Sequence, residues 1–149
     1  MSGDVEMVVT GGDAIAASLD RLSKAGQREF KKAAKKATRE GLKPLHAAAK
    51  AGVPVETGRL RKAVKLRAWR RPKQGEVGMK VFIDPGDNRA DPRGAYYGSM
   101  VESGHIAGGT YVPGRHFLRR AAAAHGQAAQ ATLSAALSKA ADDVIRGKA

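Results

Sequence analysis

The 149-residue chain has no cysteine, so disulfide bridges and thiolate metal sites are excluded, and compartment cannot be read from cysteine usage. Aromatic residues make up only 5% of it; one tryptophan and three phenylalanines leave little material for a deep pocket. No stretch approaches the roughly 20 consecutive apolar residues needed to cross a membrane. The first twelve residues, MSGDVEMVVTGG, are acidic and lack a long apolar run, which does not fit a signal peptide. A soluble protein without a secretory address is expected. Acidic side chains are scarce as well: 14 against 27 lysines and arginines, a formal charge of +13.

That charge is unevenly spread. Residues 21–73 hold 18 basic and 3 acidic side chains, a net of +15, while the remainder carries a net of −2. One basic half suits an acidic partner: nucleic acid, an anionic membrane or an acidic protein surface. The hydrophobic share of 42% is mostly alanine, so the core is thin, of a kind often completed by subunit contacts. Length favours one domain spanning residues 1–149.

The apolar period changes along the chain. Val5 to Val9 alternate weakly before Gly11 and Gly12, the pattern of a short strand. Ile15, Leu19 and Leu22 then share a helix face, with Asp13 as cap. The segment SKAG suggests a bend. From Gln27 a helix resumes with Phe30, Ala33, Ala34 and Ala37 on one stripe, and Pro44 predicts a kink near 41–44. Val53 and Pro54 stop it. VKLRAW and VGMKVFI read as a β-hairpin around the loop RRPKQGE. DPGDNRADPRG reads as a polar loop, AYYGSMVESGH as a short helix or strand, and IAGGTYVPGR as a second loop. A long alanine-rich helix follows over 115–145, its stripe marked by Leu133, Leu137, Ala140, Ala141 and Val144. The sum is an α+β domain: an N-terminal strand, a long kinked helix, a hairpin or small antiparallel sheet, and a long C-terminal helix.

Catalytic chemistry finds no foothold. His46, His105, His116 and His125 include no i, i+4 pair for zinc, and no P-loop or hydrolase elbow is present. Glu56 and Glu102 lack a nucleophile to serve as an acid/base pair. No cofactor and no enzymatic activity are expected. Lys31, Lys32, Lys35, Lys36 and Arg39 could grip a polyanion through charge contacts, but a solvated face opposite the alanine stripe explains the same residues.

The segment VPVETGRLRKAV has the physics of a junction. Pro54 closes a helix, Thr57 is placed to cap a short turn, and Gly58 permits a left-handed backbone. Leu60 and Val64 should point inward, with Arg59, Arg61, Lys62 and Lys65 outward. This segment resembles the pattern P-x-x-T-G-x-L-R-x-S/A-hydrophobic of a neck protein family of long-tailed double-stranded DNA phages. That head–tail joining, or tail-completion, family is typified by the tenth gene product of a lambdoid coliphage. Two later segments match in order: AYYGSMVESGH is similar to its Y-a-x-x-V-E-x-G-T, and VPGRHFLRRAA to its P-x-x-P-F-L-R-P-A. His105, His116 and Arg120 depart from the usual threonine, proline and proline.

The resemblance implies a virion structural protein at the neck or tail top, made in the host cytoplasm, that forms a ring of its own copies, a hexamer by expectation. Its partners would be neighbouring neck proteins and tail-tube or tail-terminator proteins, with non-specific contact to packaged DNA and no membrane. Thr57, Gly58, Leu60, Arg61, Val101, Glu102, Gly104, Phe117, Leu118 and Arg119 would frame the fold and its subunit contacts. Glu102 is expected to pair with Arg61 or Arg119, within or between subunits. A sequence-nonspecific nucleic-acid-binding protein is the alternative.

Overall fold

The computed structural model describes residues 5–8, 24–54, 58–68, 78–87, 90–91 and 94–146. The helix expected over Ile15 to Leu22, the capping role of Thr57 and the loop RRPKQGE lie outside them. The element order is β1 (Val5–Val8), α1 (Lys24–Ala51), α2 (Arg59–Ala63), β2 (Val64–Ala68), β3 (Gly78–Ile83), α3 (Gly98–Ser103), β4 (Gly104–Ala107), β5 (Thr110–Pro113) and α4 (Phe117–Ile145). The α+β class and its order of strand, long helix, sheet and long helix are those expected from the sequence.

Helix α1 starts at Lys24, not after the bend expected at SKAG. Lysine, alanine, glutamine and arginine are good helix formers, and the single Gly26 costs only about 1 kcal/mol against them. Phe30, Ala34, Ala37, Leu42, Leu45 and Ala49 recur three to five residues apart and form its buried stripe. Thr38 lies on the same face, where its hydroxyl donates to the carbonyl of Ala34 at 2.8 Å and is thereby satisfied. The helix is continuous through Pro44, which sits on the exposed side. Proline has no N–H to donate to the Glu40 carbonyl, and both residues are exposed. The helix ends as expected before Val53 and Pro54, with the Gly52 N–H donating to Ala48 O at 3.0 Å.

Strand β3 is the centre of a three-stranded antiparallel sheet, flanked by β1 and β2. Val64 faces Ile83 and Leu66 faces Val81 across the expected β2–β3 hairpin. Val64, Met79 and Val81 join Leu42, Leu45 and Ala49 of α1 and Phe117, Leu118 and Ala121 of α4 in the main core. Lys65, Arg67, Lys80 and Phe82 alternate onto the other face. Phe82 is shielded there because the Arg67 guanidinium and Lys80 ammonium lie 5.7 and 4.9 Å from its ring centroid. His46 ties helix to sheet: its Nε2 lies 3.0 Å from Val64 O, and a carbonyl only accepts, so Nε2 donates.

Helices α1 and α4 run antiparallel and outreach the sheet. Gly41 backs onto Ala129, where an added Cβ would stand 3.0 Å from the Ala129 carbonyl oxygen. Farther out, Phe30 and Ala34 close on Ala140, with Leu137 and Val144 packed alongside. Burial stabilises by about 25 cal/mol per Å² of apolar surface. This mostly alanine cluster therefore contributes less than the main core, with its leucines and Phe117.

Residues 106–115 were expected to be a loop, but most of them belong to a second hairpin, β4–β5, in which Ile106 faces Tyr111. Gly108 (φ 56°) and Gly109 (φ 81°) form its two-residue turn, and a type I′ turn needs positive φ at both positions. Sequence reading missed it because the flanking residues do not alternate apolar and polar: no face is buried beneath them.

Candidate functional site

Short elements converge where the three quoted segments meet. Gly58 adopts a left-handed backbone (φ 69°) and opens α2, burying Leu60 in the main core. Arg59, expected to point into solvent, is half-buried instead. Its guanidinium donates to Gly94 O at 2.6 Å and Asp91 O at 2.5 Å. It thus binds part of the segment read as a polar loop to α2. Lys65 is likewise turned to protein, donating to Asp84 at 2.5 Å. That ammonium, helped by the Gly86 N–H at 3.0 Å, holds the Asp84 carboxyl below its ordinary range. Arg61 and Lys62 are exposed, as expected.

The segment AYYGSMVESGH, left open between helix and strand, is a short helix, α3, running into β4. Val101 packs on the main core, and Glu102 is 3% exposed. Glu102 completes the start of α4. Its main-chain oxygen accepts the His116 N–H at 3.0 Å. Its carboxylate accepts Leu118 N–H at 3.0 Å through Oε2 and Arg119 N–H at 3.1 Å through Oε1. A helix leaves its first four N–H groups without helical acceptors, and this one residue takes three of them. Its negative charge also sits at the positive end of the helix dipole.

The expected pairing of Glu102 with an arginine side chain is therefore corrected within the subunit. Arg61 and the side chain of Arg119 are exposed, and the carboxylate goes to backbone N–H groups of α4. A carboxylate with 3% exposure would be costly to bury without donor partners, and two N–H donors and a helix end meet that need. Sequence reasoning missed this because Glu102 lies 16 residues before Leu118, whereas local capping patterns span three.

Two backbone features hold this clamp. His116 has φ 50°, and no side chain at that position caps the helix. A proline, usual there in the resembling pattern, could supply neither the positive φ nor the N–H that Glu102 O accepts. Gly104 ends α3 with φ 88°, and a Cβ on it would lie 2.7 Å from Tyr111 Oη and 2.8 Å from Gly114 N. Leu60, Val101, Glu102, Gly104, Phe117 and Leu118 are thus brought together.

Beside the clamp lies an open groove of about 470 Å³, walled by Leu60, Tyr97, Met100, Val101, His105 and Val112 among others. His105 Nδ1 is buried at its edge without a hydrogen-bond partner among the described residues. Next to it, Ile106 is 75% exposed and Tyr111 62%, and Met100 and Val112 are exposed too. Lys31, Lys32, Lys35, Lys36 and Arg39 lie elsewhere, all exposed on α1 away from its buried stripe. No group of histidine and acidic side chains among the described residues is disposed to hold a metal ion. No helix among them is long and apolar enough to cross a membrane.

A family model described as "Bacteriophage HK97-gp10, putative tail-component" matches residues 13–104. No curated protein and no solved structure matches the chain. The family match takes in the α2 segment and the α3 segment as far as Gly104, and it stops before the third quoted segment and α4. With more than half of its length matched, including the residues that build one side of the clamp, the chain belongs to the HK97-gp10-like bacteriophage family.

Proposed function

We propose that this chain is a ring-forming structural subunit at the phage neck that completes the tail or joins it to the head. Family membership supports a structural role in the phage particle. The observation that carries the finer reading is the β4–β5 hairpin. All four residues of β5 are exposed, and Ile106 and Tyr111 stand out beside an apolar groove. A lone two-stranded hairpin is marginal in water, and a contiguous apolar surface marks an interaction site. His105 Nδ1 at the groove edge, without a partner among the described residues, adds a polar group that a neighbour could satisfy.

The occupant this reading assigns is a second copy. A protruding hairpin and a groove are two different patches, so the contact is head-to-tail, and head-to-tail contacts close into rings when the rotation permits. Six copies are the expected number, with neck and tail-tube or tail-terminator proteins stacked above and below. The thin alanine-rich core fits a subunit supported by neighbours. No catalytic step is assigned.

Deleting the gene should leave heads and tails that form separately and fail to join, visible by electron microscopy of lysates. Native mass spectrometry of the purified chain, alone and with its neighbouring tail proteins, should show a closed oligomer. Normal yields of infectious particles from the deletion strain would sink the reading.

A further inference from the structure

The distribution of charge on α1 points to a function that the hairpin does not explain. Between Arg28 and Lys43 the helix carries seven basic residues, Arg28, Lys31, Lys32, Lys35, Lys36, Arg39 and Lys43, against Glu29 and Glu40. All seven are exposed. At 100° per residue they fall within one band, roughly opposite the stripe of Phe30, Ala34 and Ala37. Only Lys43 has an acidic partner, Glu40 at 2.7 Å, among the ion pairs of the described residues. At 1.5 Å per residue the band is about 22 Å long.

We infer that this band is a binding site for duplex DNA, engaging the phosphate backbone without reading sequence. Duplex DNA carries one negative charge per about 1.7 Å of axis, so the band's length faces about a dozen phosphate charges. The other anionic partners fit less well. A protein partner would want aromatic or apolar anchors, and lysine is depleted in protein interfaces; the band holds five lysines and no exposed apolar anchor. Single strands are gripped by stacking on aromatic rings, and Phe30, the aromatic residue of this helix, is buried against α4. A membrane-surface helix must insert its apolar face, and here that face is already packed on α4. The five lysines are mobile point charges suited to phosphates rather than to base edges, and the two arginines can add bidentate phosphate contacts.

The test uses the full chain and fluorescence anisotropy with two labelled 30-base-pair duplexes, one AT-rich and one GC-rich, and a 30-nucleotide single strand. One variant replaces Lys31, Lys32, Lys35 and Lys36 by glutamine. A control variant removes the same charge elsewhere, with glutamine at the exposed Lys62, Arg67, Arg120 and Lys139. Circular dichroism melts establish that both fold. Wild type should bind the two duplexes equally and the single strand more weakly. Seven phosphate contacts give a log–log salt slope of about −6, a loss of roughly 10³–10⁴-fold between 50 and 200 mM salt. The band variant should flatten that slope by about 3–4 and weaken low-salt binding at least tenfold more than the control does. No duplex binding at 50 mM salt, equal losses in both variants, or preference for the single strand would each overturn the proposal. Specific capture of an acidic neck protein by wild type, lost only in the band variant and without DNA binding, would reassign the band. The readout does not depend on ring formation, so its failure leaves the assembly reading standing, and the reverse also holds.

Discussion

The carboxylate of Glu102 accepts the backbone N–H of Leu118 at 3.0 Å, and through that bond a residue of one short helix caps another helix. Removing it strands two helix N–H groups and leaves a void beside Phe117 and Leu118, both buried. Glu102→Ala should lower stability by about 3 kcal/mol, read as a drop in the thermal or urea midpoint. Glu102→Gln keeps one acceptor and should lose less. Because the bonds run to backbone, an Arg61→Glu, Glu102→Arg exchange should rescue nothing. The Arg61→Ala, Glu102→Ala cycle should be additive within about 0.5 kcal/mol. A larger coupling would restore the guanidinium pair.

His116 makes the clamp possible in a backbone conformation that disfavours side chains with a Cβ (φ 50°). His116→Gly keeps the N–H bonded to Glu102 O and relieves the strain, so it should stabilise by about 0.5–1 kcal/mol. His116→Pro forbids both the φ and the bond and should destabilise by about 3 kcal/mol or more. Chemical denaturation of the two variants gives the signs directly. Stabilisation by proline would mean that the turn has a different backbone.

Lys65 and Asp84 join β2 to the segment after β3, with side-chain exposures of 34% and 23%. Hydrogen bonding to Lys65, then to the Gly86 N–H, lowers the Asp84 pKa in the folded chain. The unfolded carboxyl therefore takes up a proton first as pH falls. The pair's contribution is fully present above the ordinary aspartate value of about 3.9 and is lost as pH drops through the lower folded value. Asp84→Asn should cost about 1 kcal/mol at pH 7, discounted for partial exposure. Its stability should converge on wild type as melts are taken to lower pH. A gap that widens with acidification would reverse the assignment.

The hairpin prediction separates folding from assembly. Ile106→Ser and Tyr111→Ser alter side chains that are mostly exposed, so the folded subunit should change by no more than about 0.5 kcal/mol. The oligomer should fall apart, seen by sedimentation velocity, and phage carrying the double variant should lose infectivity. Persistence of the oligomer with both substitutions would remove this face from the contact.

Much of the fold was legible because it rests on repeating solvation patterns. Phe30, Ala34 and Ala37 recur at helical spacing and line the buried face of α1. Val64 and Leu66 recur at strand spacing and face the core from β2. Such periodicities record which side of an element meets water, and every residue in the run repeats the message. The basic band on α1 was legible for the same reason. Its lysines share one exposed helix face.

What only the tertiary structure decided are the pairings between elements. Arg59 reads as one more surface cation, yet two carbonyls about thirty residues ahead claim its guanidinium. Residues 104–113 carry no buried face, so no apolar alternation announced the hairpin, and only the glycine pair hinted at it. Glu102 was singled out from the sequence, but its role was assigned to the wrong kind of partner. A carboxylate is drawn to any donor that solvent cannot reach, and charge alone suggested arginine. Which donor it meets depends on where folding brings the start of α4. There the unbonded helix N–H groups lie beside it, while the arginine side chains stay in water.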